Sequence, residues 1–231
     1  MLCPCCGLDF DTFVVKAGKV NSLGIDYDMR PLFDEIDPLK YDAALCPICG
    51  YAALLRDFDT TSQSQRNLIS EHITPRYTGI EYDSYYYSYE DAVIRYKMAL
   101  LNDVVSKGKN SRKAYTCLKL SWVLRGWIER EGSGLSISEK KNLEAQEYEC
   151  IQKAFEGFEL ANDKESFPIC GMDESTFTYL LAVLAYKLED YKKSIRYTYD
   201  ILGDIKAPAK LNDMALELKL KIKEIVKNNM D

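Results

Sequence analysis

The stretch Cys46-Pro47-Ile48-Cys49-Gly50-Tyr51-Ala52 decides the reading of this chain, because its first five residues repeat the pattern of Cys3-Pro4-Cys5-Cys6-Gly7. Both have the form C-P-x-C-G. Two thiolates separated by two residues can grip one metal ion if the backbone turns tightly between them. Proline fixes φ early in such a turn, and glycine accepts the positive φ needed after the second cysteine. Two knuckles of this kind supply four thiolates, the donor set of a closed tetrahedral Zn2+ site. The implied ligands are Cys3, Cys6, Cys46 and Cys49. Cys5 occupies the x position, and its side chain is expected to point away from the metal. The 39 residues between Cys6 and Cys46 exceed the zinc-ribbon spacing of about 15–20, so an insertion between the knuckles is expected.

Two rival chemistries use the same cysteines. A rubredoxin-like iron site also takes four thiolates. A redox dithiol of the C-P-x-C type sits at a strand-to-helix turn, and Cys3 has no room for a preceding strand. Two matched knuckles are better explained by one structural ion, with zinc ahead of iron. Of the other cysteines, Cys117 and Cys150 fall in helical patterns, where a free thiol acts as a small apolar group, and Cys170 reads as a loop thiol. The one histidine, His72, precedes Thr74-Pro75 and reads as a cation at a helix C-terminus. Triad-type catalysis needs a histidine base, and His72, the one candidate, reads as a helix-end residue, so no catalytic constellation is expected; there is no Walker-type loop or G-x-G-x-x-G.

Outward from the knuckles, residues 8–45 lack helical periodicity. Leu8–Asp11 and Thr12–Lys16 read as extended, and Lys40–Leu45 as a short strand entering the second knuckle. Tyr51–Phe58 and Ser62–Ile73 read as two helices, and from Tyr82 onward helical patterning dominates. Within that region a small–large–small spacing recurs. Ala92, Tyr96 and Ala99 fit it, as do Ala154, Phe158 and Ala161, and more weakly Ser194, Thr198 and Ile201. This is the tetratricopeptide spacing, in which small residues let helices approach and the large one fills the gap between hairpins. Ala114–Glu129, with Trp122 and Trp127, reads as the partner helix of the middle repeat. Ser136–Glu139 reads as a capping box, Asp173 as the cap of a helix over Glu174–Leu188, and Lys210–Lys227 as a terminal capping helix. The tyrosines Tyr82, Tyr85, Tyr86, Tyr87 and Tyr89 suit the junction between metal module and first repeat better than a partner surface.

The expected fold is therefore mainly α. A small zinc-ribbon-like four-cysteine module with short β-strands occupies residues 1–60, and tetratricopeptide-like helical repeats occupy 61–231. These features resemble a bacterial family known only as domain-of-unknown-function family 2225. The residues that carry the resemblance are Cys3–Cys6, Pro38 with Tyr41-Asp42, Cys46–Ala52, Gly171–Thr176 and Tyr179-Leu180. The chain departs from the pattern at Cys5 and at Ser194, where such repeats commonly carry Ala. The resemblance implies a four-cysteine metal module followed by tetratricopeptide-like helices, and no established activity.

The 231 residues carry a formal net charge of −6. Residues 1–60 hold ten acids and five bases, an acidic balance that repels a phosphate backbone and disfavours a nucleic-acid regulator. The longest apolar run, Tyr179–Tyr186, is far short of the roughly 20 residues of a membrane span, and no basic-then-apolar leader is visible, so a cytoplasmic protein is expected. The leading expectation is a non-enzymatic zinc-binding adaptor that presents a helical-repeat groove to a protein or peptide partner. The alternatives are a redox protein using the same cysteines and a nucleic-acid-associated zinc ribbon.

Overall fold

A computed structural model describes residues 1–16, 18–80 and 86–228. It is mainly helical, with short antiparallel strands near the N-terminus where the cysteines lie. Strand β1 (Ser22–Ile25) pairs with β2 (Pro31–Phe33), and β3 (Ala43–Leu45) pairs with β4 (Ala52–Leu54). The β3–β4 register sets Ala43 opposite Leu54 and Leu45 opposite Ala52, which makes the second knuckle the turn of a hairpin. The helix expected over Tyr51–Phe58 is not formed. Its first half is β4, followed by one 3-10 turn over Leu55–Asp57. The Tyr51 carbonyl accepts the Cys46 N–H at 2.8 Å, so the chain leaves the knuckle already in a ladder. That pairing overrides the helix propensity of Ala-Ala-Leu-Leu. Leu8–Lys16 is irregular apart from a bridge between Leu2 and Asp9, and the β1–β2 hairpin inside the insertion is an element that the sequence reading missed.

Seven α-helices follow among the described residues: α1 (Gln63–His72), α2 (Tyr89–Val105), α3 (Asn110–Glu131), α4 (Ile137–Lys164), α5 (Glu174–Lys187), α6 (Tyr191–Gly203) and α7 (Ala209–Asn228). Their starts are written in the sequence. Ser62 with Gln65, Ser88 with Asp91 and Ser136 with Glu139 form reciprocal capping boxes, and the Asp173 carboxylate accepts the Thr176 N–H at the head of α5. All nine residues of the three small–large–small triplets are buried, as close helix packing requires. Tyr87 and Tyr89 are buried at the junction of the N-terminal residues with α2, Tyr86 is exposed, and Tyr82 and Tyr85 lie outside the described residues.

The main core runs without interruption from Leu39, Ala43 and Leu54 through Tyr96 and Phe158 to Ile222. Small residues make the first contact possible, because the buried Ala-Ala-Leu segments of β3 and β4 bring the hairpin against α2. Tyr96 donates to the Leu39 carbonyl at 2.9 Å, and Tyr89 to the Asp37 carboxylate at 2.8 Å.

The insertion between the knuckles also grips the helices by charge. Asp28, wholly buried in the β1–β2 turn, receives both terminal nitrogens of Arg125 from α3, at 3.2 and 2.7 Å. Arg125 also contacts Asp26 at 3.0 Å and Glu147 of α4 at 2.7 Å. Lys187 of α5 stands 3.4 Å from Asp28, and Arg30 reaches Glu129 of α3 at 2.9 Å. Tyr27 contacts Glu217 and Lys221 of α7. Burial pushes the Asp28 carboxyl up, but Arg125 and Lys187 outweigh it and hold the group below the usual carboxylate range. No helix of the described residues is long and apolar enough to cross a membrane.

Candidate metal centre

The two knuckles have the same backbone. In the first, the Gly7 N–H donates to the Cys3 carbonyl at 2.9 Å and the Cys3 N–H to the Leu8 carbonyl at 3.0 Å. In the second, the Gly50 N–H donates to the Cys46 carbonyl at 3.1 Å and the Cys46 N–H to the Tyr51 carbonyl at 2.8 Å. Gly7 and Gly50 have φ of 71° and 76°, the conformation expected of each. At Gly50 the demand is double, because a Cβ there would lie 2.6 Å from Cγ of Tyr77.

The knuckles face one another and bring Cys3, Cys6, Cys46 and Cys49 together, with all four Sγ atoms within 4.8 Å. Cys3 and Cys49 are 3.6 Å apart, and Cys6 and Cys46 are 3.8 Å apart. Tetrahedral coordination at a metal–sulfur distance of about 2.3 Å requires sulfurs about 3.8 Å apart. These two separations match that value and the other pairs lie within 4.8 Å, so the four cysteines could hold one ion. Cys3, Cys46 and Cys49 are buried, with Cys6 at the edge. Four thiolates and a divalent cation leave a net −2 in this setting, which backbone donors offset. The amides of Cys5 and Cys6 turn toward Cys3, those of Ile48 and Cys49 toward Cys46, and that of Tyr51 toward Cys49. Between the bare thiols, the Cys3–Cys49 contact holds the Cys3 thiol far below its ordinary range and drives Cys49 up, while burial raises Cys46. A site that resists ionising all its sulfurs alone ionises them around a cation. Four thiolates suit zinc and iron alike.

The surroundings fix the second knuckle from behind. The Thr74 hydroxyl donates to the Cys49 carbonyl at 3.0 Å, and the Asn102 amide to the Gly50 carbonyl at 3.0 Å. Phe10, Phe58 and Tyr51 pack beside the sulfurs, and the Tyr51 hydroxyl donates to the Phe58 carbonyl at 2.7 Å. The sequence reading missed Thr74 and Asn102, although Asn102, polar and buried on a helix otherwise patterned for packing, carried a signal.

Cys5, at the x position, lies outside the four-sulfur group. The other cysteines are remote from the site. Cys117 is buried in α3 and Cys150 half-buried in α4. Cys170 donates weakly to the Ser111 carbonyl at 3.4 Å. Burial pushes these thiols up, to about 12 for Cys117 and about 11 for Cys150 and Cys170, which leaves them inert near neutral pH. His72 is the last residue of α1, exposed beside Glu71 at 3.9 Å.

Comparison with curated proteins and with solved structures returns no match. A family model described as an uncharacterized protein conserved in bacteria, DUF2225, matches residues 1–222, and the chain belongs to that family.

Proposed function

We propose that this protein is a non-enzymatic adaptor. A structural Zn2+ held by Cys3, Cys6, Cys46 and Cys49 locks the N-terminal hairpins onto a tetratricopeptide-like helical stack, and the stack presents a groove to a protein or peptide partner. The convergence of four sulfurs within 4.8 Å of one another carries the metal half of this reading. A closed four-thiolate site offers no open coordination position for a substrate, which favours a structural role. The buried small–large–small triplets support the repeat half. Division into a metal module over 1–60 and a helical domain over 61–231 is part of the same proposal, with the Asp28–Arg125 contact as the joint between them.

Elemental analysis of protein purified under reducing conditions tests the metal, with one zinc per chain expected. In-cell crosslinking followed by affinity purification tests the adaptor role, with one protein recovered specifically and repeatedly. A second reading draws on Cys5, packed against the cluster that holds Cys3, Cys46 and Cys49, since a fifth thiol beside the site could exchange with a ligand. Iron, recognised by its visible absorption, or a metal-free protein with a reversible thiol potential would favour that redox reading over the adaptor.

A further inference from the structure

One turn of the insertion lies across three helices. α3 packs on α4, α5 on α6, and α7 on both α5 and α6, so α3, α5 and α7 alternate along the stack, and alternate helices of such a stack share a face. The turn Asp26-Tyr27-Asp28-Met29-Arg30 touches all three. Asp28 lies between Arg125 of α3 and Lys187 of α5, and Arg125 reaches Asp26 as well. Glu147 of α4 holds Arg125 from the other side at 2.7 Å. The Tyr27 hydroxyl donates to the Glu217 carboxylate of α7 and accepts from Lys221. Arg30 reaches Glu129 of α3 at 2.9 Å, and Tyr27 and Met29 pack on the main core. The face therefore offers cations to two acids, a carboxylate and an ammonium to one phenol, and a carboxylate to one guanidinium. That pattern reads an acid–tyrosine–acid–x–arginine turn. Apolar side chains would anchor a purely structural hairpin at least as well, whereas charge pairs held out of water discriminate among occupants.

Behind this tip the arm is lightly held. The four residues of β1 are exposed, and among the described residues β1 pairs with β2 alone. A two-stranded hairpin is marginal by itself. Beyond β2, Arg130 of α3 donates to the Phe33, Asp34 and Glu35 carbonyls and tethers the arm at its base. The fit at the tip is also incomplete. Tyr179 of α5 is buried, its hydroxyl has no hydrogen-bond partner among the described residues, and it lies within electrostatic reach of Tyr27, Asp28 and Glu217. We propose that the face shared by α3, α5 and α7 is the partner-docking surface, that the turn Asp26–Arg30 is its resident occupant, and that a partner protein enters by presenting an acid–tyrosine–acid turn of its own. The proposal rests on the adaptor reading and gives that reading a location, a partner chemistry and a built-in competitor.

The test uses the full-length, metal-loaded chain. Tyr27→Ala with Asp28→Ala removes the resident side chains and leaves Arg125, Lys187, Glu217 and Lys221 in place. The probe is a fluorescein-labelled peptide of the sequence Ser22–Phe33, cyclised head to tail. Fluorescence anisotropy should show saturable binding to the vacated chain and binding about a hundredfold weaker to wild type, whose own turn competes at an effective concentration on the order of 1 mM. Adding Arg125→Met to the vacated chain, or Asp28→Lys to the peptide, should abolish binding. Circular dichroism checks that each variant folds. No saturable binding to the folded vacated chain, equal binding by both chains, or indifference to Arg125→Met would overturn the proposal. So would a wild-type dimer that the double substitution dissociates, which would assign the face to a second copy. If the vacated chain does not fold, hydrogen exchange on wild type decides. A Met29 amide exchanging at least tenfold faster than amides in the middle of α5 shows a turn that detaches on its own, and one common rate overturns the proposal. In-cell crosslinking separates this proposal from the adaptor reading. A partner captured alike by wild type and the vacated chain, and kept after Arg125→Met, leaves the adaptor standing and removes this face, whereas no partner with any form removes the adaptor itself.

Discussion

Replacing Arg125 with Met tests whether the insertion between the knuckles is clamped to the helices by charge. Methionine keeps much of the side-chain volume and removes the guanidinium. The change takes both hydrogen bonds from Asp28, which is wholly buried, and the contacts at 3.0 Å to Asp26 and 2.7 Å to Glu147. Removing one partner of a buried ion pair costs about 3–5 kcal/mol. Lys187, at 3.4 Å, remains as a cation for Asp28, which places the expected loss near the lower end, at about 3 kcal/mol. In a chain of this size that corresponds to a fall of roughly 6–12 °C in Tm. Asp28→Asn should cost less, because the amide still accepts a hydrogen bond from Arg125. Combining the two should cost less than their sum, with a coupling of about 1–2 kcal/mol. Urea unfolding followed by circular dichroism on metal-loaded protein measures all four corners of the cycle. The pH dependence has a definite sign. The folded-state pKa of Asp28 is depressed, so its contribution is present above the unfolded value of about 3.9 and disappears as pH falls through the lower folded value. The gap between wild type and Asp28→Asn should hold from neutrality to about pH 4 and close below it. A loss under about 1 kcal/mol for Arg125→Met, or strict additivity in the cycle, would falsify the clamp and place these charges among ordinary surface pairs.

Three further outcomes are expected. Stripping the metal with a strong chelator at neutral pH should release one ion per chain to a chromogenic reporter and lower Tm steeply, since structural zinc sites contribute about 10–16 kcal/mol in small domains; an unchanged melting curve would count against a structural ion. Gly50→Ala should destabilise by about 2 kcal/mol or more, from the strained positive φ and from the 2.6 Å approach of its Cβ to Tyr77. Adding Tyr77→Ala should recover only the steric share, and complete recovery would show that the backbone carries no strain. Iodoacetamide at pH 7.5 should leave Cys117, Cys150 and Cys170 unmodified in the native protein, because burial raises all three thiols; rapid native labelling of Cys170 would contradict the packing around it.

What was legible in the sequence was what short-range chemistry dictates. The four-cysteine cluster could be read because a C-P-x-C-G knuckle is a local turn, and only the meeting of two knuckles is non-local. Helix starts at Ser62, Ser136 and Asp173 could be read because a cap is made within three residues. The burial of Ala92, Tyr96 and Ala99 followed from period alone. Tyr51–Phe58 misled for the opposite reason. Its composition favours a helix, and a hydrogen bond across the knuckle decides for a strand. The Asp28–Arg125 contact joins residues 97 apart in the chain. Nothing near either residue marks it, and an acidic count over 1–60 reads as solvated surface until the hairpin folds back onto α3.

A metal held by the four cysteines would act on the same loop as the clamp, which leads to one last expectation. An ion held by the four cysteines would join Cys6 to Cys46 and so close the insertion at its base. Closing a loop of about 40 residues removes about 4 kcal/mol of unfolded-state entropy in the cross-link model. Asp28 then meets Arg125 within a loop whose ends are already fixed, and little further entropy is lost in forming that contact. Without the ion the same contact must close the loop by itself while also desolvating both charges, a cost its Coulomb attraction only partly offsets. The Asp28–Arg125 coupling should accordingly depend on metal. Measured by the same double-mutant cycle, it should fall from about 1–2 kcal/mol in the loaded protein to near zero after chelation, provided that the helices retain enough circular dichroism signal for an unfolding curve. Amide hydrogen exchange gives a second readout that needs no unfolding curve. The Met29 amide, which donates to the Asp26 carbonyl within the hairpin turn, should lose protection on chelation before the amides in the middle of α5 do. Coupling that survives metal removal would mean that the hairpin docks by its own contacts with α3, α4 and α7, and that the ion serves the knuckles alone.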